Sequence, residues 1–171
     1  MKALLFGLTC LCSHFSSFGQ GQISFNNQMA LTDPQYGIYF NGVPAGEIGM
    51  NATLFLVNGN SLTALTPSTT FFTEPGSQFL LQPVDITVPG ILPGASANFL
   101  VRVWDSSFAS YDAAISANAW RGQSLSFVNK VGGGTLPPEN TVFTGFVLIP
   151  EPSIIALAIM GAGSLLFRRR K

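Results

Sequence analysis

Short apolar runs alternate with polar and turn-forming residues through the middle of the chain. In ANFLVRVWD, Phe99, Val101 and Val103 fall on one face of a predicted strand, and the residues between them fall on the other. QISFNN places Ile23 and Phe25 on one face in the same way, and VDITVPG repeats the pattern. A period of two is typical of strands with one face on a core, so this region is predicted to be mainly β.

Turn signals separate these runs. Asn58-Gly59-Asn60 lies between two β-prone runs and predicts a hairpin. The glycine- and proline-rich segment Lys130–Asn140 predicts a flexible loop, and TVFTGFVL predicts a last strand before Pro150. Many short strands with frequent turns indicate an antiparallel β-sandwich over residues 20–149.

One segment departs from this texture. SYDAAISANAWRG is rich in alanine, with Ser110 as a candidate N-cap, Asp112 in the first turn and Gly122 beyond the end. It predicts one short helix, from Tyr111 to Trp120, inserted into the sandwich.

The first 19 residues have the layout of a secretory signal peptide. Lys2 precedes an apolar run from Ala3 to Cys12, and small and polar residues follow. Cleavage is predicted between Gly19 and Gln20, with cleavage after Gly21 as the alternative. A buried first helix is the competing interpretation, but no amphipathic period supports it.

Removing that segment limits the chemistry of the body. His14 and both cysteines lie within it, so Ser-His-Asp, Cys-His and His- or Cys-based zinc sites are excluded from residues 20–149. Those residues contain three cations and seven anions, a net charge of −4, which argues against nucleic acid as a partner. We therefore expect no catalytic residue, no metal and no cofactor, and a body that is not an enzyme.

Two sets of residues keep other options open. Trp104, Tyr111 and Trp120 could form a sugar-stacking platform, or pack a helix onto the sheet as core aromatics. Asp105 and Asp112 could act as the carboxylate pair of a glycan hydrolase or bind calcium. Their alternative role is that of solvated loop and capping carboxylates.

The chain ends in an unusual order of residues. Pro150-Glu151-Pro152 precedes fifteen uncharged residues, 153–167, and then Arg168, Arg169, Arg170 and Lys171. Residues 153–167 predict a single transmembrane helix about 22 Å long, which is short for a hydrocarbon layer of about 30 Å. The basic tail orients it with the body outside the cytoplasm.

This C-terminal block resembles the bacterial PEP-CTERM sorting signal, with the motif at 150–152, the apolar helix at 153–167 and the basic stop at 168–171. The resemblance implies a Gram-negative exporter and processing by an exosortase, a membrane cysteine protease. The body is also similar to a β-rich domain that recurs among such proteins, through QISFNN, VRVWD and YDAA followed by WRGQSLSF.

The resemblance implies a route and a setting. The implied partners are signal peptidase and the secretion machinery, a membrane crossed once, an exosortase, and exopolysaccharide. The protein is expected to be held transiently in the inner membrane and then to reach the cell surface or the extracellular matrix. There the body has a structural or interaction role, or, as the alternative, acts as a carbohydrate-binding module.

Overall fold

The computed structural model of the chain describes residues 20–146 and 148. This part is mainly β, as predicted, with eleven strands and one α-helix. The strands are β1 (Gly21–Phe25), β2 (Tyr39–Phe40), β3 (Val43–Pro44), β4 (Met50–Asn58), β5 (Ser61–Ala64), β6 (Thr69–Thr70), β7 (Val84–Val88), β8 (Ser96–Asp105), β9 (Arg121–Gln123), β10 (Phe127–Lys130) and β11 (Glu139–Asn140). The helix α1 spans Tyr111–Ser116, and two short 3-10 helices span Gln28–Leu31 and Pro34–Tyr36.

The strands form three sheets within the described residues. One has the order β11-β1-β7, and the largest has the order β10-β8-β4-β5 with β6 beside β4 and β9 beside β8. The third is the small β2-β3 pair. Almost every pairing is antiparallel, but β1 and β11 run parallel. The sequence prediction missed this pairing because β11 has only two residues and reaches β1 after a long loop.

One hydrophobic core joins the two larger sheets in a sandwich-like arrangement. Side chains from both enter the same cluster: Ile23, Phe25, Ile86 and Val88 from the smaller sheet, and Leu54, Phe99, Val101 and Val103 from the larger. The alternation predicted from QISFNN, VDITVPG and ANFLVRVWD is confirmed, since these core residues are fully buried. Burial of this apolar surface is the main stabilising contribution to the fold.

The predicted hairpin is confirmed. Strands β4 and β5 pair in antiparallel register, with Asn58 opposite Ser61 across the loop Gly59-Asn60. Gly59 has a φ of 58°, the positive value that a type II′ hairpin turn requires at its first loop position. Glycine adopts that conformation without steric cost.

The start of α1 is confirmed, but the predicted end at Trp120 is wrong. The side chain of Ser110 caps the helix by accepting a hydrogen bond from Ala113 N at 3.1 Å. The helix ends at Ser116 because Asn118 takes a left-handed conformation with a φ of 53°. Ala119 N then donates to Ala114 O at 2.9 Å and closes the helix end.

The predicted last strand is also wrong. Residues 141–146 and 148 contain no strand, although Thr141 N donates to Ser24 O at 3.0 Å and Leu148 N donates to Tyr39 O at 2.8 Å. At Gly145 the backbone passes so close to Gly37 that an added Cβ would overlap its carbonyl oxygen. The segment therefore packs across the body instead of pairing regularly along a strand.

The segment Lys130–Asn140, predicted as a flexible loop, has regular structure at both ends. Lys130 closes β10, and Glu139 and Asn140 form β11. Between them, Val131 is part of the core.

No helix within residues 20–146 and 148 has the length and apolarity that a membrane span requires. The predicted transmembrane helix, 153–167, lies outside the described residues, as does the predicted signal segment, 1–19.

Candidate functional site

A cleft lies on the outer face of the largest sheet, opposite the core. Thr53 on β4 pairs in register with Arg102 on β8, and both side chains point away from the neighbouring core residues. Phe55 and Trp104 continue this outer face along the same two strands. We call this site the Arg102 cleft; its volume is about 320 Å³.

Two connecting segments enclose the Arg102 cleft. One is the connection between β5 and β6, which contributes Leu65, Thr66 and Ser68. The other is the start of α1 with the residues before it, 109–112. The helix cap at Ser110 fixes the direction in which the first turn of α1 meets the sheet.

The guanidinium group of Arg102 lines the cleft and contacts two of its aromatic rings. Its Cζ lies 4.9 Å from the centroid of the Phe55 ring and 4.6 Å from that of the Tyr111 ring. Its Nε donates a hydrogen bond to Gln123 Oε1 at 2.8 Å. Cation–π contacts of this kind contribute about 0.5–1 kcal/mol each at partly exposed sites. Arg102 thus connects β4, β9 and α1 through its side chain.

Trp104 forms part of the inner surface of the cleft. Its residue exposure is 6%, and Nε1 donates to Phe108 O at 2.9 Å. The indole is thus held in place by the loop before α1. This burial agrees with the alternative interpretation of the sequence, in which Trp104 packs as a core aromatic.

The predicted aromatic trio is separated in space. Trp104 and Tyr111 both line the Arg102 cleft, but Trp120 does not. Trp120 instead packs edge-on against Phe40, with 3.8 Å between the ring centroids, and is 36% exposed. The early end of α1 explains the separation, because residues 117–120 no longer continue the helix that begins at Tyr111.

The two candidate carboxylates are not brought together in the cleft. Asp112 lines it, whereas Asp105 is absent from its lining. Asp105 Oδ1 accepts a hydrogen bond from Ser107 N at 2.8 Å and so supports the turn after β8. In residues 20–146 and 148, no group of three His, Cys, Asp or Glu side chains could hold a metal ion.

The sequence prediction missed two central residues of the cleft, Phe55 and Arg102. Both lie on the outward faces of strands that the pattern identified, and an arginine between Leu100 and Trp104 was the available signal. Their proximity depends on the β4–β8 register and on the position of α1, which no local pattern provides.

The predicted processing sites lie mainly beyond the described residues. Gln20 is exposed and directly precedes β1, while Gly19 lies outside the described part. The sorting motif and the basic tail, residues 150–152 and 168–171, also lie outside it.

Comparisons with protein-family models, with curated proteins and with solved structures gave no match. No family is assigned. The resemblance of residues 150–171 to the PEP-CTERM signal stays a prediction from those residues, and function is inferred from the chain itself.

Proposed function

We propose that this is an exported protein that is held briefly in the inner membrane, processed by an exosortase and delivered to the cell surface or extracellular matrix. The observation that carries the proposal is the order of three features at the C-terminus: Pro150-Glu151-Pro152, an uncharged stretch at 153–167, and the basic residues 168–171. The prolines fix φ and remove two amide donors, so a helix cannot continue through the motif and the peptide stays extended for a protease.

The N-terminal boundary of the body supports cleavage between Gly19 and Gln20. Strand β1 begins at Gly21, whose N donates to Ile91 O at 2.8 Å. Cleavage between Gly19 and Gln20 leaves this strand and its hydrogen bond intact. Cleavage after Gly21, the alternative, would remove the first residue of β1.

The C-terminal boundary supports processing beyond the body. Leu148 is fully buried in the core, and the motif begins only two positions later in the sequence. Removing residues from Pro150 onward therefore leaves Leu148 in place. In this proposal the body is an antiparallel β-sandwich apart from the β1–β11 pair, and residues 153–167 form the single transmembrane helix.

The test is replacement of the sorting motif in the cells that produce the protein. Alanine at Pro150, Glu151 and Pro152 is expected to leave full-length protein in the membrane fraction. The chain offers a matched control of the same residue types, alanine at Pro137, Pro138 and Glu139. Processing of the motif variant at the wild-type level would contradict the proposal.

A second candidate function concerns the body: carbohydrate binding in the extracellular matrix. The observation that favours it is the Arg102 cleft, where Trp104 and Tyr111 lie with a cationic donor and several hydroxyl groups. Binding sites for small ligands typically combine aromatic lining with a few polar groups. A glycan array probed with the purified full chain tests it, and absence of binding at millimolar glycan would remove this candidate.

A further inference from the structure

The charges around the Arg102 cleft restrict its ligand. Its lining contains one cation, Arg102, and one anion, Asp112, so their formal charges cancel. The surrounding residues 20–149 carry a net charge of −4. The negatively charged body would repel a ligand with many carboxylates or sulfates. The cleft has no surplus of cations that would offset this repulsion.

The polar groups of the cleft complement hydroxyl groups. A guanidinium only donates hydrogen bonds, an ionised carboxylate only accepts them, and a hydroxyl does both. Nε of Arg102 is already bonded to Gln123, and its two Nη atoms make no hydrogen bond within residues 20–146 and 148. Arg102 and Asp112 thus offer a donor and an acceptor, and Thr53, Thr66 and Ser68 add hydroxyls.

The apolar groups of the cleft match the other surface of a sugar. Phe55 and Tyr111 are half-buried, and the Arg102 guanidinium lies over part of each ring, so a ligand would contact the remaining exposed surface of these two residues. A pyranose has an apolar face of C–H groups and an edge of hydroxyls, so a site that binds it must offer both apolar and hydrogen-bonding groups. The volume of about 320 Å³ lies at the lower end of the range for ligand sites, of the order of 300–1,000 Å³.

From these observations we propose that the Arg102 cleft binds uncharged glycans, with Arg102 donating to and Asp112 accepting from hydroxyls of one sugar ring. Acidic glycans are the excluded class. This inference rests on the proposed carbohydrate binding by the body, and it adds the chemical class of the ligand and the two residues that select it.

The experiment uses tryptophan fluorescence of the full chain in mild detergent. The chain has two tryptophans, so Trp120→Phe leaves Trp104, in the lining of the cleft, as the sole reporter. The probes are an uncharged gluco-oligosaccharide and an oligouronate of the same length, titrated at low and at high salt. We expect saturable binding of the neutral probe and at least about tenfold weaker binding of the oligouronate at low salt. The difference in affinity should decrease at high salt, because salt screens the repulsion of the charged probe.

Each result of this titration decides a different point. A response of Trp104 that shows tighter binding of the oligouronate than of the neutral probe overturns the inference and leaves carbohydrate binding in place. Binding of neither probe at millimolar concentration overturns both. Binding of the neutral probe that isothermal titration calorimetry detects without any change in Trp104 fluorescence would locate the site elsewhere and also overturn the inference.

Matched variants test the two selecting residues. Asp112→Asn should weaken binding of the neutral probe by about fivefold or more, because the charged acceptor is lost. Binding of the oligouronate should not weaken, because a repelling charge is lost as well. Asp85→Asn, at an exposed position of β7, removes the same charge away from the cleft and should leave binding of the neutral probe unchanged. Arg102→Gln should weaken the neutral probe by about tenfold, with Lys130→Gln as its control. Equal effects of Asp112→Asn and Asp85→Asn would contradict the inference, and unfolding curves identify any variant that fails to fold.

Discussion

Asn26 and Thr141 bond to each other twice, although 115 positions separate them in the sequence. Thr141 Oγ1 accepts from Asn26 N at 2.9 Å and donates to Asn26 O. Both residues are buried, and Asn26 Nδ2 also donates to Asn140 Oδ1 at 2.9 Å. These bonds hold the segment after β1 against the last part of the described chain, just before the buried Leu148.

Thr141→Val should therefore destabilise the body. Valine keeps the shape of threonine but leaves the buried N–H and C=O of Asn26 without the hydroxyl, at an expected cost of about 2 kcal/mol in the free energy of unfolding. Urea denaturation measures it. Thr144→Val is the matched control at an exposed position nearby, and a loss of equal size in the two variants would contradict the role given to Thr141.

The β4–β5 hairpin offers a matched pair of leucines for testing the core. Leu54 on β4 is 0% exposed, and Leu62 on β5 is 38% exposed. Leu54→Ala should cost about 2–5 kcal/mol because it removes buried methyl groups and leaves a cavity. Leu62→Ala should cost less than about 1 kcal/mol. Thermal or urea unfolding compares them, and similar losses would show that the assigned faces of this hairpin are incorrect.

The end of α1 can be tested at Asn118. Its positive φ brings Cβ close to the backbone, which asparagine tolerates better than alanine does and which glycine avoids. Asn118→Ala should therefore destabilise the body by about 1 kcal/mol. Asn118→Gly should be neutral or stabilising. If the helix continued to Trp120, as the sequence predicted, the order of the two variants would be reversed, because alanine is the better helix former.

The features that were predicted correctly from the sequence are those that residues close together in the sequence determine. Alternation identified Ile23, Phe25 and Val101 as core residues because facing a core is encoded every second residue. The hairpin was found because Gly59 specifies its turn locally. At the end of α1 the local signal was Asn118, and the prediction relied on Gly122 instead.

The remaining features depend on distant contacts. The last predicted strand failed because Gly145 approaches Gly37 closely, a contact between segments more than a hundred residues apart in the sequence. The Arg102 cleft likewise combines Phe55, Arg102 and Tyr111 from β4, β8 and α1. Their sequence positions give no indication that the three side chains meet.

The most direct test of the proposed function is the intact mass of the protein recovered outside the cells, compared in strains with and without the exosortase. In the strain with the enzyme, we expect a mature chain that begins at Gln20, retains Leu148 and lacks residues 153–171. Leu148 should be retained because a cut before it would remove a core residue. Without the enzyme, we expect the uncut tail and retention in the membrane fraction. Released protein that still ends at Lys171 in both strains would contradict the proposal.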